Sequence, residues 1–224
     1  MESNSTPNDN NDINTINLEE DTDIYTYKII LLGDSSVGKT SMIIRFCDDD
    51  FKGDGCATVG IDTKTKYLKR SGKKIELRIW DTAGQERFKS IAKNFFKSAD
   101  GIFLVFDKGN KTSFKNIKNW YREIKDAVDL KQVSVMIVGN KSDLVNQEVD
   151  MESAINFCNE HEIQFAETSA KLNINIVETF GMLIDDMIKK DSESKQKIKR
   201  NRSKIDKFST ATTERGEKKK KCCK

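Results

Sequence analysis

The chain has 224 residues, 36% hydrophobic and 33% charged, with a formal net charge of +3, which suffices for one domain with a full core plus tails. No apolar stretch approaches the ~18–20 residues of a membrane span. The N-terminus lacks the basic and apolar regions of a signal peptide, so a reducing cytosolic setting is expected. Charge is segregated: residues 1–26 hold seven acidic side chains and no Lys or Arg, whereas residues 189–224 hold fifteen basic and five acidic ones. A neutral body between an acidic head and a basic tail follows.

Residues 1–26, polar and with the only proline, Pro7, read as a disordered acidic extension. Glu2 excludes N-terminal myristoylation. The apolar run Ile29-Ile30-Leu31-Leu32 then predicts a buried strand bounded by Gly33. Gly33-Asp34-Ser35-Ser36-Val37-Gly38-Lys39-Thr40 matches G-x-x-x-x-G-K-[ST], and Ser41, Met42, Ile43, Ile44 and Phe46 continue as a helix. Asp48 to Asp62 is a loop long enough to suspect function. A hairpin around Ser71-Gly72-Lys73 joins Thr63–Lys69 to Ile75–Trp80, and Asp81-Thr82-Ala83-Gly84-Gln85-Glu86 follows. Ile102–Phe106 and Val133–Val138 read as strands buried on both faces, with an amphipathic helix between them marked by Phe114, Ile117, Trp120, Tyr121, Ile124 and Val128. A helix over Met151–Cys158, a short strand over Ile163–Ala166 and a last helix over Ile176–Ile188 complete the body. Alternating strands and helices predict an α/β fold with a mainly parallel sheet covered on both faces and ligands at the strands' carboxyl ends.

Each polar motif falls just after a strand. In the first loop, Gly33 and Gly38 let backbone N–H groups turn inward on an anion, and the following helix adds its positive end. Lys39 would reach the β- and γ-phosphates of a nucleoside triphosphate, and the Thr40 hydroxyl would ligand Mg²⁺. Asp81 can hold the ion or a water bound to it, Gly84 gives close backbone approach to a terminal phosphate, and the Gln85 amide can align an attacking water. In Asn140-Lys141-Ser142-Asp143 the carboxylate can accept from the N1–H and 2-amino edge of guanine, a donor pair that adenine lacks. Asn140 would tie adjacent loops. In Glu167-Thr168-Ser169-Ala170-Lys171 the Ala170 N–H could meet the base oxygen. Either motif alone is an ordinary polar loop; their order and placement carry the reading. His161, the only histidine, suits a solvated or C-capping role, and Cys47, Cys56 and Cys158 lack metal-ligand spacing.

Over residues 27–190 the sequence resembles a Ras-superfamily small GTPase, and within it a Rab. The Rab character rests on Val59-Gly60-Ile61-Asp62, Leu77-Arg78-Ile79-Trp80, Arg87-Phe88-Lys89-Ser90-Ile91, Phe95-Phe96-Lys97-Ser98-Ala99 and Leu104-Val105-Phe106-Asp107, with Asn119-Trp120 in the next helix. The resemblance implies a P-loop GTPase fold: a six-stranded, mainly parallel sheet with one antiparallel strand. It implies that Thr58 ligands Mg²⁺ and senses the γ-phosphate, that Phe51 packs against guanine, and that Asp34, Ser35, Ser36, Val37 and Ser41 of the first loop and its helix, with Ser169, Ala170, Lys171 and Lys141, complete the nucleotide site. It also implies slow hydrolysis of GTP to GDP with Gln85 and Lys39 as catalytic groups. Implied partners are an exchange factor, a GTPase-activating protein, a GDP-dissociation inhibitor, prenylation machinery and effectors that read the switch loops. The rival is a GTP-gated binding module with little or no hydrolysis.

The pattern has departures. Thr63 stands where most Rabs have Phe, leaving Trp80 and Phe95 of a three-aromatic effector surface. Gly55 replaces a first-switch aromatic, and Lys108-Gly109 replaces an apolar-plus-hydroxyl pair. They imply an unusual partner set. Residues 191–224 read as a basic flexible tail ending Lys218-Lys219-Lys220-Lys221-Cys222-Cys223-Lys224. By resemblance, Cys222 and Cys223 are a lipidation site that anchors the protein to the cytoplasmic face of an endomembrane or the plasma membrane, cycling with the cytosol. The tail is not a C-a-a-X box. A free basic tail binding acidic lipid or nucleic acid by charge is the alternative, and nothing else in the sequence points to nucleic acid.

Overall fold

In the computed structural model, the residues described are 23–51, 58, 61–82 and 96–195. The chain divides into two compact units, residues 1–187 and 188–224. The first holds a six-stranded sheet in the order β2-β3-β1-β4-β5-β6. The strands are β1 (Ile24–Leu32), β2 (Ile61–Arg70), β3 (Lys73–Thr82), β4 (Gly101–Asp107), β5 (Ser134–Asn140) and β6 (Gln164–Glu167). Only β2 and β3 pair antiparallel; the remaining neighbours are parallel.

Local chemistry explains the elements. Ser71 (φ 50°) and Gly72 (φ 72°) both take positive φ, as a two-residue turn matched to strand twist requires. β1 is half-exposed where it begins and fully buried over Ile29–Leu32, because only its second half lies between β3 and β4. Helix α1 (Lys39–Asp48) follows the first loop. Helix α2 (Lys111–Ala127) starts at Asn110, whose side chain accepts from the N–H groups of Thr112 and Ser113. Helix α3 (Met151–Glu160) is capped in the same way by Asp150 and ends at His161, whose ring packs against Tyr121 and Phe157. A last helix, α4, begins at residue 176.

One face of the sheet packs Ile30, Ile102, Leu104 and Phe106 against Phe114, Ile117, Trp120 and Phe157 from α2 and α3. Elsewhere in the core Phe46 of α1 stacks on Phe180 of α4, with centroids 3.9 Å apart, and Phe103 of β4 meets Phe180 edge-on. Residues 191–195 are helical rather than linker-like. Ser192 Oγ donates to the Ile188 carbonyl, and Lys195 pairs with Asp191 one turn back.

The strands run one to three residues beyond their apolar stretches at most ends. Asp81 and Thr82 lie inside β3, Asn140 ends β5 and Glu167 ends β6. The parallel register sets Leu31 beside Asp81 and Asp107 beside Asn140, so these polar ends share one edge of the sheet.

Candidate nucleotide site

The loop Gly33–Gly38 leaves β1 at that edge. Its glycines are required by space as well as by angle. At Gly33 (φ 142°) a Cβ would stand 2.1 Å from the Val105 carbonyl oxygen, and at Gly38 (φ 97°) one would stand 2.3 Å from Asn140 Nδ2. Ser36 also has positive φ, 62°. Lys39 is only 5% exposed. Its Nζ donates to the carbonyls of Gly33, at 2.9 Å, and Asp34, at 2.7 Å, so the ammonium is folded over the loop. Burial pulls its pKa down to about 8, opposed by the carboxylates of Asp81 and Asp34. The Asp34 carboxylate accepts from Asn116 Nδ2 (2.7 Å) and Trp120 Nε1 (3.2 Å), which ties the loop to α2.

Next to Lys39 three oxygens converge. Thr40 Oγ1 donates to Asp81 Oδ2 at 2.5 Å, Thr58 Oγ1 donates to the same oxygen at 3.1 Å, and the two hydroxyls are 2.8 Å apart. Asp81 Oδ1 is buried without a hydrogen-bond partner among the described residues. Burial raises the Asp81 pKa, opposed chiefly by the hydrogen bond from Thr40. A buried carboxylate with an unmatched oxygen beside two hydroxyls is the donor set of a hard cation. Mg²⁺ takes few protein ligands and fills the rest with water and phosphate oxygens, so one carboxylate suffices. The residues fit the ion.

The base end is built from the loops after β5 and β6. Asn140, 1% exposed, joins three segments. Its Nδ2 donates to the Val37 carbonyl (2.9 Å), and its Oδ1 accepts from Thr168 Oγ1 (3.1 Å) and from the Ala170 N–H (3.3 Å). Ser169 Oγ donates to Asp143 Oδ1 at 2.6 Å, and the Ser142 N–H to the Thr168 carbonyl at 2.9 Å. Lys141, with φ 64°, pairs with Asp107. Lys171 is exposed, and Arg45 of α1 donates to the carbonyls of Ala170 and Lys171. Phe51, half-buried after α1, has its N–H on Asp50 Oδ1. Gly84, Gln85, Phe95, Cys56 and the lipidation candidates Cys222 and Cys223 lie outside the described residues, as does most of the loop between Phe51 and Ile61.

Several supporting groups escape sequence reasoning. Arg45 and Asn116 are single polar residues with no motif around them; Asp107, Lys108 and Trp120 stand out only against the family pattern, which assigns them no contact with the site. Their partners at the site lie 34 to 126 residues away, and no local pattern signals such contacts.

The comparisons agree with this geometry. The Ras family model matches residues 28–189. Ras-related protein Rab-13 of Canis lupus familiaris is 44% identical over 167 residues, 74% of this chain and 82% of its own. Ras-related protein Rab-10 of Diplobatis ommata is 42% identical over 198 residues, covering 88% and 95%. Ras-related protein Rab-1D of Dictyostelium discoideum is 44% identical over 164 residues, covering 73% and 80%. The chain belongs to the Ras family, and within it is a Rab-type small GTPase of vesicle traffic.

Proposed function

We propose that the protein binds GTP with Mg²⁺, hydrolyses it slowly to GDP and phosphate, and changes its effector-reading loops as it does so. The observation that carries this is the meeting of the Thr40 and Thr58 hydroxyls on Asp81 Oδ2, beside the buried Lys39 ammonium. Thr58 belongs to the first switch and Thr40 to the phosphate loop, so a shared ligand couples the loop to the nucleotide. Bound there, Mg²⁺ supplies electrostatic stabilisation of charge on the β- and γ-oxygens. Lys39 neutralises the same charge, and the loop N–H groups of Gly33 to Thr40 orient the phosphates. Gln85 aligns the attacking water. No arginine occurs between Phe51 and Asp62, so rapid turnover requires a group supplied by an activating protein. Asp143 selects guanine, with Ala170 N–H on its 6-oxygen.

The regulators a Rab requires follow from this cycle: an exchange factor, an activating protein and a GDP-dissociation inhibitor. No helix among the described residues is long and apolar enough to cross a membrane. Anchoring is assigned to lipidated Cys222 and Cys223 beside the tetralysine run, since two lipid chains, or one with a basic patch, give stable attachment. Thr63 is exposed and lies opposite Trp80 across the hairpin, which supports an effector surface of altered shape.

Single-turnover hydrolysis of preloaded GTP, with ATP in parallel, tests the reading. Slow hydrolysis of GTP alone, lost in Gln85→Leu, is expected. Tight GTP binding with no hydrolysis in either protein would reduce it to a nucleotide-gated module.

A further inference from the structure

Two adjacent charged residues at the end of β4 each hold one loop of the base end. Asp107 Oδ2 accepts from Lys141 Nζ at 2.7 Å, in the loop after β5. Lys108 Nζ is ion-paired with Glu167 Oε2, at the last residue of β6, from which the next loop leaves. The Lys108–Glu167 pair spans a whole strand. Phe106, Gly139 and Glu167 share a row across β4, β5 and β6. A Cβ on Gly139 would stand 3.4 Å from Lys108 Cγ and 2.9 Å from Phe106 Cζ. The missing side chain is therefore the passage through which the lysine stem crosses β5.

The root of that stem is fixed. The Lys108 N–H donates to the Asn140 carbonyl at 3.1 Å, and its own carbonyl accepts from the N–H groups of Glu148 (3.0 Å) and Val149 (3.2 Å). Lys108 is 4% exposed, while the Glu167 side chain is 38% exposed. An ion pair with one end buried contributes little stability over an apolar side chain of the same volume. What it adds is direction: an ammonium on a fixed root sets where the carboxylate sits. Glu167 begins the segment that continues through Thr168 and Ser169, bonded to Asn140 and Asp143, to the Ala170 N–H.

We propose that Lys108 is a positioning residue: through its ion pair with Glu167 across Gly139 it places the 167–171 loop, and with it the Ala170 N–H that meets the 6-oxygen of guanine. The consequence is a longer residence time for bound guanine nucleotide. This rests on the guanine reading of the base end above.

The test uses the full chain loaded with GDP or 6-thio-GDP and chased with excess unlabelled nucleotide, for wild type, Lys108→Met and Glu167→Gln. Sulfur is a weaker hydrogen-bond acceptor than oxygen, so the analogue reports the 6-position contact alone. Both variants should release GDP roughly tenfold faster, about 1.4 kcal/mol. Release of 6-thio-GDP should change much less, because the contact at stake is already weakened. Equal acceleration of both nucleotides would make the pair merely structural and overturn the proposal, as would wild-type release of GDP in both variants. Asp143→Asn, measured with xanthosine diphosphate, separates the two levels. A switch toward xanthine there, with no effect at Lys108, sinks this inference alone, whereas an unchanged guanine preference removes the base reading beneath it.

Discussion

Asn140→Ala is the sharpest probe of how the site is held. The side chain is 1% exposed and makes three hydrogen bonds. Truncation strands the Val37 carbonyl and the Thr168 hydroxyl in a buried space, while the Ala170 N–H keeps the guanine 6-oxygen proposed for it when GDP is bound. A stranded buried group costs ~1–3 kcal/mol. The Thr168 hydroxyl can rotate, so its share falls at the low end, and about 2–4 kcal/mol is expected in total. Against the ~5–15 kcal/mol typical of a domain this is a large fraction. Asn140→Asp has the same shape but replaces the donor facing Val37 O with an acceptor. At neutral pH it should lose at least as much as alanine. Denaturant unfolding at a fixed excess of GDP reads the stability, and chase experiments read the release rate, which should rise in both variants. A loss under ~0.5 kcal/mol with wild-type release would refute the claim that Asn140 clamps the loops.

Lys39 gives a pH prediction. Its folded pKa, about 8, is below its ordinary value of 10.5. Between those values the unfolded chain binds a proton that the folded, nucleotide-stripped protein does not, so stability of the stripped protein should rise with pH across the window. A bound polyphosphate restores the ammonium, so calorimetry in two buffers near pH 9 should show proton uptake on binding GDP, and no uptake would contradict the burial argument. Phe180→Ala removes the ring stacked on Phe46 and edge-on to Phe103 and should cost ~3–5 kcal/mol in a denaturant titration; a loss below ~1 kcal/mol would mean the helix is not anchored there. Cys158 is buried and its thiol is pushed up to about 11. Iodoacetamide at pH 7.5 should leave it unmodified in the native protein and alkylate it after denaturation, as mass spectrometry of its peptide will show.

The fold and the phosphate end were legible because their chemistry is local. Gly33 and Gly38 supply the positive φ that the loop needs, and the apolar runs of β1, β4 and β5 announce strands buried on both faces. The strand ends were less legible for a physical reason. Asp81, Thr82, Asn140 and Glu167 are polar because they serve the site, yet their backbones continue the ladders. Hydrophobicity therefore stops before the strand does. A motif at the end of a strand is also part of it, and a pattern reading separates what the hydrogen bonds join.

The support around the site was illegible because it is long-range and made of residues with two jobs. Trp120 satisfies the helical period of α2, and its ring belongs to the core, so a pattern reading stops there. Its indole N–H nevertheless reaches Asp34 of the phosphate loop. Arg45 behaves in the same way: on α1 it is a polar residue in the last turn, yet it holds the carbonyls of Ala170 and Lys171. Lys108 stood out only as a departure from the family pattern, with no partner nameable from sequence, since Glu167 lies 59 residues on and the passage between them is an absent side chain at Gly139. In each case one end of the side chain obeys a local rule and the other makes a distant contact. Motifs identify the groups that would touch the nucleotide, whereas the precision with which those groups are held depends on these second ends, which only the assembled sheet edge reveals.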